Sequence, residues 1–178
     1  RKLMKIILRE IDRLNNLITE FLDYSRPAKK PTDPISITQI LQEIIDSIKF
    51  HPTFSSDVEM SINVQQDLGI LGFPDKIKQA FLNIVINSLQ AMETRPQKDL
   101  QITAFKKDNS IIVIFSDSGM GMNPENLKKM FEPFHTTKSK GTGLGLAITY
   151  KIIETHGGQV FVESTPGQGT RFEMKFPC

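Results

Sequence analysis

The sequence predicts an α/β two-layer sandwich preceded by one long α-helix. Two observations predict this fold: a helical apolar period runs through residues 3–24, and helical and strand-like periods then mix without strict strand–helix–strand alternation. The length of 178 residues suffices for one domain with an appendage and for a proper hydrophobic core. A net charge of +2 gives no global reason to expect nucleic acid or a membrane surface as a partner.

The predicted N-terminal helix carries a seam of apolar residues. Ile7, Leu14 and Phe21 recur every seven residues, which is typical of a helix that packs against other helices. The helix ends before Pro27, because proline disfavours helix in the residue that precedes it. The seam fits two interpretations equally: packing onto the chain's own domain, or half of a helical hairpin that dimerises into a four-helix bundle.

The region from residue 35 to residue 178 mixes two apolar periods. Apolar residues three or four apart predict helices, and alternating apolar residues predict half-buried strands. Residues 117–142 are rich in Gly, Thr, Lys and Pro and contain one short helical patch, near Asn126–Met130. The predicted helices span residues 37–48, 74–92 and 144–155, and the predicted strands span residues 58–64, 100–106, 111–116, 159–164 and 170–176.

Two asparagines lie four residues apart within the predicted helix over residues 74–92. Asn83 and Asn87 share one helix face, and their neighbours are apolar on nearly every other side. Asparagine is a poor residue for a helix interior, so the pair needs hydrogen-bond partners if it is buried. One interpretation is a pair of satisfied core amides. The other is a pair of amide oxygens directed at a hard cation such as Mg²⁺, which also keeps phosphate and water ligands.

Two glycine-containing segments are candidates for nucleotide contacts. Asp117-x-Gly119-x-Gly121 follows an apolar strand, where a carboxylate can accept from an exocyclic amino group and glycine lets backbone approach a flat ring. Gly141-Thr142-Gly143-Leu144-Gly145-Leu146 opens a predicted helix, whose free N-terminal amides bind phosphate. The second segment matches neither the P-loop, which requires GK[ST], nor the dinucleotide fingerprint, which requires glycine where Leu146 stands.

Four segments stand in the order of asparagine, first glycine, phenylalanine and second glycine boxes: Asn87, Asp117-x-Gly119-x-Gly121, Phe131-Glu132-Pro133-Phe134 and Gly141-Thr142-Gly143-Leu144-Gly145-Leu146. The set resembles that of bacterial sensor histidine kinases, over about residues 35–176. Thr136-Thr137-Lys138 resembles the kinases related to nitrogen regulation and sporulation. The resemblance implies the Bergerat (GHKL) ATP-binding fold: a mixed antiparallel sheet covered by helices on one face, with ATP between the helices and a flexible lid.

The resemblance also implies a role for each box. Asn87 matches the Mg²⁺ ligand, Asn83 its phosphate-side polar partner, and Asp117 the residue that reads the adenine amino group. Phe131 and Phe134 match lid anchors that pack on the domain when the lid orders. The implied ATP-binding set is Asn83, Asn87, Asp117, Gly119, Gly121, Lys138, Gly141, Thr142, Gly143, Leu144, Gly145 and Thr170. Within this set Asn83 and Lys138 are the catalytic candidates, although a solvated lysine fits the sequence at position 138 nearly as well.

The resemblance divides the chain into three parts. Leu22-Asp23-Tyr24-Ser25-Arg26-Pro27 resembles the end of the family's dimerisation helix, so residues 1–26 are expected to be the second helix of an incomplete dimerisation and phosphoacceptor domain. Residues 27–34 are the expected linker, and residues 35–178 the expected catalytic domain. Because the chain begins inside a helical pattern, we expect a fragment of a longer protein. The family's acceptor histidine precedes an acidic residue, a context that His51, His135 and His156 lack.

The fragment is therefore expected to hold the catalyst without its acceptor and not to autophosphorylate. In gyrase-type, chaperone-type and mismatch-repair ATPases of the same fold, a glutamate one turn before the metal asparagine activates water. That place is taken here by Asn83, whose amide cannot accept a proton at neutral pH. We expect the site to position ATP without hydrolysing it efficiently.

The expected function is transfer of the γ-phosphate of Mg-ATP to a histidine of the parent's dimerisation domain, for signalling to a response regulator. Two other classes stay open: a conformational ATPase or serine kinase of the same fold, and a non-enzymatic nucleotide-binding module. No nucleic acid or direct membrane contact is expected of this fragment, because its net charge is only +2 and no apolar run approaches ~20 residues. The single cysteine, Cys178, fits a reducing cytosol, so we expect a cytoplasmic location, with membrane attachment of the parent left open.

Overall fold

The computed structural model describes residues 30–138 and 141–178 and, in the N-terminal segment, positions 4, 7, 11, 14, 18, 19, 21 and 22. Those eight positions have the helical backbone predicted for residues 3–24, most of which lie outside the described residues. Their large apolar side chains are exposed: Met4, Ile7, Ile11, Leu14, Ile18, Phe21 and Leu22. The expected linker over residues 27–34 is described only from residue 30 onward.

Local sequence explains where the helices of the domain begin. The Ser36 hydroxyl caps the first helix, because its Oγ accepts the N–H of Gln39 at 3.1 Å. Pro74 occupies the first turn of the second helix, where no intrahelical hydrogen bond is lost. The described helices are α1 (Ile37–Ile48), α2 (Pro74–Met92), α3 (Pro124–Lys129) and α4 (Gly145–Thr155). None of these is long and apolar enough to cross a membrane.

The described strands form two sheets. They are β1 (Pro34–Ser36), β2 (Glu59–Val64), β3 (Gly69–Leu71), β4 (Asp99–Lys107), β5 (Ser110–Asp117), β6 (Gln159–Thr165) and β7 (Gly169–Pro177). Strand β1 pairs antiparallel with β3, and the other five form one sheet in the order β2-β4-β5-β7-β6. Strands β2 and β4 run parallel, whereas the remaining pairs of this sheet are antiparallel. The large sheet is therefore mixed, as the family resemblance implied.

The hydrophobic core lies between the large sheet and the helices. Along β7, Phe172, Met174 and Phe176 are buried in the core and alternate with charged residues, because every second residue of a strand shares a face. On α2 the buried ring of Phe81 packs against Phe115 of β5 and Phe176 of β7, with ring centroids 5.5 and 6.2 Å apart. One helical layer on one sheet face confirms the α/β two-layer sandwich.

Three short elements differ from the sequence prediction. Strands β1 and β3 were not predicted, because a strand of three residues is too short to show an apolar period. Helix α3 begins at Pro124, two residues before the predicted patch. The cause is Asn123, whose Oδ1 accepts the N–H of Asn126 at 2.8 Å and so caps a helix that starts earlier.

Candidate functional site

The C-terminal end of β5 places one carboxylate between the sheet and α2. Asp117, the last residue of β5, is paired with Thr170 of β7 and is only 8% exposed. Its Oδ1 accepts the backbone N–H groups of Gly119 at 2.9 Å and of Thr170 at 3.3 Å. Its Oδ2 accepts the hydroxyl of Ser88 on α2 at 2.8 Å. Donors from three parts of the fold therefore fix this carboxylate.

Burial and hydrogen bonding act on the Asp117 carboxyl in opposite directions. Burial raises the pKa of Asp117, because the ionised form loses its contact with water. The three hydrogen bonds and the positive charge of Lys138 lower the pKa, since each favours the ionised form. Burial is the larger effect, and the pKa of Asp117 lies above its ordinary value.

Backbone contacts hold the turn that follows β5 from two sides. Met120 donates its N–H to the carbonyl of Ala91 in α2 at 3.0 Å and accepts the N–H of Gly167, between β6 and β7, at 2.7 Å. Gly121 has a φ of +65°, and a Cβ atom there would collide with the carbonyl oxygen of Thr165. Glycine alone meets both constraints. The turn therefore presents firmly held backbone beside the buried carboxylate.

Helix α2 carries a stripe of three amides, Asn83, Asn87 and Gln90, which are half-buried and so are not fully buried core amides. The ammonium of Lys138 lies between two of them. Its Nζ donates to Oδ1 of Asn87 at 2.7 Å and to Oε1 of Gln90 at 2.5 Å. Although Lys138 is exposed as a whole, burial around its ammonium lowers the pKa of Lys138, and the charge of Asp117 opposes that change.

The amide oxygens around the Lys138 ammonium are ligands that suit a hard cation. Mg²⁺ takes oxygen ligands and needs only one or two of them from protein when phosphate and water supply the rest. Two amide oxygens, from Asn87 and Gln90, already converge on one positive charge. These residues therefore fit a Mg²⁺ site, with Asn87 as the ligand that the sequence predicts.

The N-terminal end of α4 lies beside the amide stripe. Asn83 donates its side-chain N–H to the carbonyl of Gly145 at 3.2 Å and thereby joins α2 to the first turn of α4. The side chain of Leu144, the N-cap residue, makes no capping hydrogen bond, and its own N–H donates to Oγ1 of Thr142 at 3.3 Å. Since the first N–H groups of a helix have no intrahelical partners, this end presents backbone donors toward an anion.

The two phenylalanines of the third box lie in different surroundings. Phe131 is half-buried and packs on Tyr150 of α4 with ring centroids 5.1 Å apart. Phe134 is 55% exposed and stacks instead on Phe21 of the N-terminal segment at 6.4 Å. The backbone N–H of Phe134 donates to the carbonyl of Gly143 at 3.0 Å, and a Cβ on that glycine would collide with the Phe134 backbone. The phenylalanine and second glycine boxes therefore contact each other directly.

The structure brings the predicted residues into two neighbouring groups. The carboxylate end consists of Asp117, Gly119, Gly121 and Thr170, and the cation end consists of Asn83, Asn87, Lys138, Gly141, Thr142, Gly143, Leu144 and Gly145. Sequence reasoning missed two members, Ser88 at the first end and Gln90 at the second. Gln90 had a signal, because it lies three residues after Asn87 and so shares its helix face. Ser88 had only the weak signal of a hydroxyl within an apolar helical run.

The chain belongs to the family described as histidine kinase-, DNA gyrase B- and HSP90-like ATPases, whose model matches residues 72–178. It is 36% identical over 173 residues to sporulation kinase E of Bacillus subtilis (strain 168), covering 97% of this chain and 23% of that kinase. Its structure matches full-length ShkA in complex with AMPPNP at a TM-score of 0.79 and 27% identity, over 99% of this chain and 38% of ShkA.

It also matches the histidine kinase ThkA in complex with the response regulator TrrA, at a TM-score of 0.75 and 26% identity. That match covers 99% of this chain and 51% of ThkA, so the chain spans only part of each of these relatives. The resemblance to histidine kinases and the expected fold are thus confirmed. The described domain is an ATP-binding catalytic domain of the histidine kinase type.

Proposed function

We propose that this chain binds Mg-ATP and transfers the γ-phosphate to a histidine on the dimerisation domain of its parent kinase. The observation that carries the proposal is a site with two unlike ends: a buried, hydrogen-bonded carboxylate, and a cation-binding pair of amide oxygens beside a helix N-terminus. A purine with an amino group suits the first end, and a metal-bound triphosphate suits the second. The AMPPNP complex of the related ShkA supports this proposal.

At the carboxylate end, Asp117 accepts a hydrogen bond from the adenine amino group. The turn through Gly119 and Gly121 lies under the ring, because neither residue carries a side chain that would hold the ring away from the backbone. Thr170 lies beside the same carboxylate, and its Oγ1 is 2.9 Å from Oγ of Ser164. The Thr170 hydroxyl is therefore held by Ser164 in a position from which it can also contact the base.

At the cation end, Asn87 supplies the protein ligand to Mg²⁺, which when bound neutralises charge on the phosphates. Asn83 keeps the first turn of α4 against α2 through its hydrogen bond to Gly145. The backbone N–H groups of Gly143 and Gly145 donate to phosphate oxygens. Lys138, whose ammonium already lies beside Asn87, donates to the terminal phosphates and stabilises charge during transfer.

The absence of a glutamate at position 83 favours transfer over hydrolysis. Asn83 cannot remove a proton from water, and its side-chain N–H is used in the bond to Gly145. Phosphoryl transfer then depends on positioning and on charge stabilisation. Activation of the incoming imidazole falls to the acidic residue beside the acceptor histidine, on the first helix of the dimerisation domain.

We assign residues 1–26 to the second helix of the dimerisation domain and residues 27–34 to a linker. The support is an apolar seam: described positions 4, 7, 11, 14, 18 and 21 alternate spacings of three and four, and their side chains are exposed. Such a seam suits the first dimerisation helix and a second copy of the pair in a four-helix bundle. A response regulator is the proposed recipient of the phosphoryl group, by analogy with the ThkA–TrrA complex.

Phosphotransfer to an added dimerisation domain of the parent kinase tests the proposal. Acid-labile label from γ-labelled ATP should appear on the added domain. With that domain at about micromolar concentration, labelling should be on the order of a hundred to a thousand times slower than on a tethered acceptor, because a tether raises the effective concentration to about the millimolar range. The Asn87→Ala chain should transfer no label, whereas Asn63→Ala, which changes an exposed asparagine on β2, should behave as the parent.

Four outcomes would contradict the proposal. Label on His51, His135 or His156 of the chain itself would show that it carries its own acceptor. Transfer that survives in Asn87→Ala would remove this residue from the metal site. Rapid steady ATP hydrolysis without the acceptor would favour a conformational ATPase, and binding of ATP without any transfer would favour a nucleotide-binding module.

A further inference from the structure

We infer that Ser88 is a positioning residue for base recognition, which orients the Asp117 carboxylate so that the site prefers adenine over guanine. The inference rests on the proposed binding of ATP and adds a residue that the sequence motifs do not include. It is carried by the contact of the Ser88 hydroxyl with Oδ2 of Asp117 at 2.8 Å, at a position where Ser88 is only 2% exposed.

The direction of the Ser88 hydroxyl distinguishes it from the locally bonded hydroxyls of Ser47 and Thr149. Ser47 donates to the carbonyl of Ile44 three residues earlier, and Thr149 donates to that of Gly145 four residues earlier. Bonds of this kind are the usual local solution for serine and threonine within a helix. Ser88 instead donates to a carboxylate 29 residues away, on a different element of the fold.

The hydrogen bonds of Asp117 leave a specific place for a ligand. Each carboxylate oxygen has two lone pairs. Both pairs of Oδ1 have a donor, the N–H groups of Gly119 and Thr170, whereas Oδ2 accepts from Ser88 and keeps one pair. The adenine amino group must therefore bind the same oxygen that Ser88 holds. Guanine presents a carbonyl oxygen at that place and would be repelled.

The Ser88 hydrogen bond also affects the charge of the acceptor. It favours the ionised form of Asp117 and so opposes the rise in pKa that burial causes. Lys138 is the charged side chain that acts on this carboxyl in the same direction. Loss of the Ser88 hydroxyl should therefore raise the pKa of Asp117 further, and ATP affinity should decline at a higher pH than in the parent chain.

Calorimetric titrations of ATP and GTP, the latter by competition, test the inference on the intact chain. Ser88→Ala should weaken ATP binding about tenfold to a hundredfold, as expected for loss of a hydrogen bond to a charged group, and should lower the ratio of ATP to GTP affinity. The pH at which ATP affinity falls to half should move upward. Ser88→Thr keeps the hydroxyl and should retain the parent's preference for ATP over GTP.

Ser47→Ala is the control, because it removes an exposed helical hydroxyl whose hydrogen bond is local. It should leave ATP affinity and its pH dependence as in the parent. Parental ATP affinity in Ser88→Ala, or an equal loss for ATP and GTP without a shift in the pH profile, would overturn the inference while leaving the proposed function standing. If the parent chain bound no ATP at all, the proposed function would fail and this inference with it.

Discussion

The two ends of the site are built in different ways. At the carboxylate end, Asp117 is buried and receives hydrogen bonds from α2, from the turn after β5 and from β7. At the cation end, Lys138 is held by two half-buried amides, and its backbone N–H donates to the nearby exposed hydroxyl of Thr136. One end is fixed by the sheet, and the other depends on a polar segment with little apolar burial.

This difference follows from what each end must recognise. A base is identified by a fixed pattern of donors and acceptors, so its acceptor is best held in place before binding. A triphosphate with a metal carries large charge and changes during transfer, so mobile cations and backbone donors suit it. We therefore expect changes at the carboxylate end to affect binding most strongly, and changes at the cation end to affect the metal dependence of binding.

The largest effect is expected for Asp117→Asn. The amide would place an N–H donor where the carboxylate now accepts hydrogen bonds from the fold and from adenine. ATP affinity should therefore fall at least about a hundredfold, or roughly 3 kcal/mol. The parent should prefer ATP over GTP by a large factor, and the variant should lose that preference. Calorimetric titration with both nucleotides measures these changes. Asp46→Asn, which changes an exposed carboxylate on α1, is the control, and equal affinity of the parent for ATP and GTP would exclude Asp117 from base recognition.

A smaller and different effect is expected for Asn87→Ala. ATP affinity should be similar in the presence and absence of Mg²⁺, because the amide oxygen that now faces the Lys138 ammonium is gone. In the parent we expect Mg²⁺ to strengthen binding by about tenfold or more, the effect of one good charge-assisted contact. Titration with ATP in magnesium and in a chelator measures the difference. If the variant bound Mg-ATP as tightly as the parent, Asn87 would have a structural role only.

The sequence was sufficient to single out those candidate residues that lie close together in short segments. Asp117, Gly119 and Gly121 follow one another along the chain, and glycine with an acidic residue in a turn is visible without a structure. The contact between Ser88 and Asp117 could not be predicted in this way, because it depends on how α2 crosses the end of β5. Lys138 likewise reaches Asn87 from 51 residues away, and no local period encodes such a contact.

The same reasoning explains the outcome for the fold. The apolar period of α2 and the alternation along β7 predicted these elements because both are long enough to repeat. Strands β1 and β3 hold each other by pairing, and the N–H of Ile37 also donates to the carbonyl of Leu68 at 2.8 Å. An apolar alternation over three residues is too short to reveal such contacts. The surroundings of Phe134 were also not predictable, since they depend on Phe21 of another segment.

The smallest effect on ATP binding is expected for a residue remote from both ends. Buried His156 accepts the N–H of Phe73 through Nε2 at 3.0 Å and donates from Nδ1 to the carbonyl of Ile152 at 2.6 Å. His156→Leu should leave ATP affinity unchanged but lower the free energy of unfolding by about 1–3 kcal/mol, because the Phe73 N–H loses its acceptor and the Ile152 carbonyl loses one of its two donors. Denaturant unfolding measures the loss, and His51→Leu, at a half-buried position, is the control.

His156 also predicts a pH dependence of stability. Burial lowers the pKa of His156, so below about pH 6.5 the unfolded chain binds more protons than the folded chain. The free energy of unfolding should therefore decrease as the pH falls from about 6.5 toward the lower folded-state pKa, and His156→Leu should show a shallower decrease. An identical slope in parent and variant would mean that His156 does not titrate differently in the two states.

Hydrogen exchange with and without an unhydrolysable ATP analogue tests the contrast between the two ends most directly. Without nucleotide, the amides of Gly119, Met120 and Thr170 should already be protected, because they are bonded within the fold. The amides of residues 136–138 and 141–143 should exchange rapidly, because the hydrogen bonds of Lys138 and Gly141 join neighbours within one short polar segment. They should slow markedly only when the analogue and Mg²⁺ are added. Equally strong protection of both groups before nucleotide is added would contradict a site with one fixed end and one end ordered by its ligand.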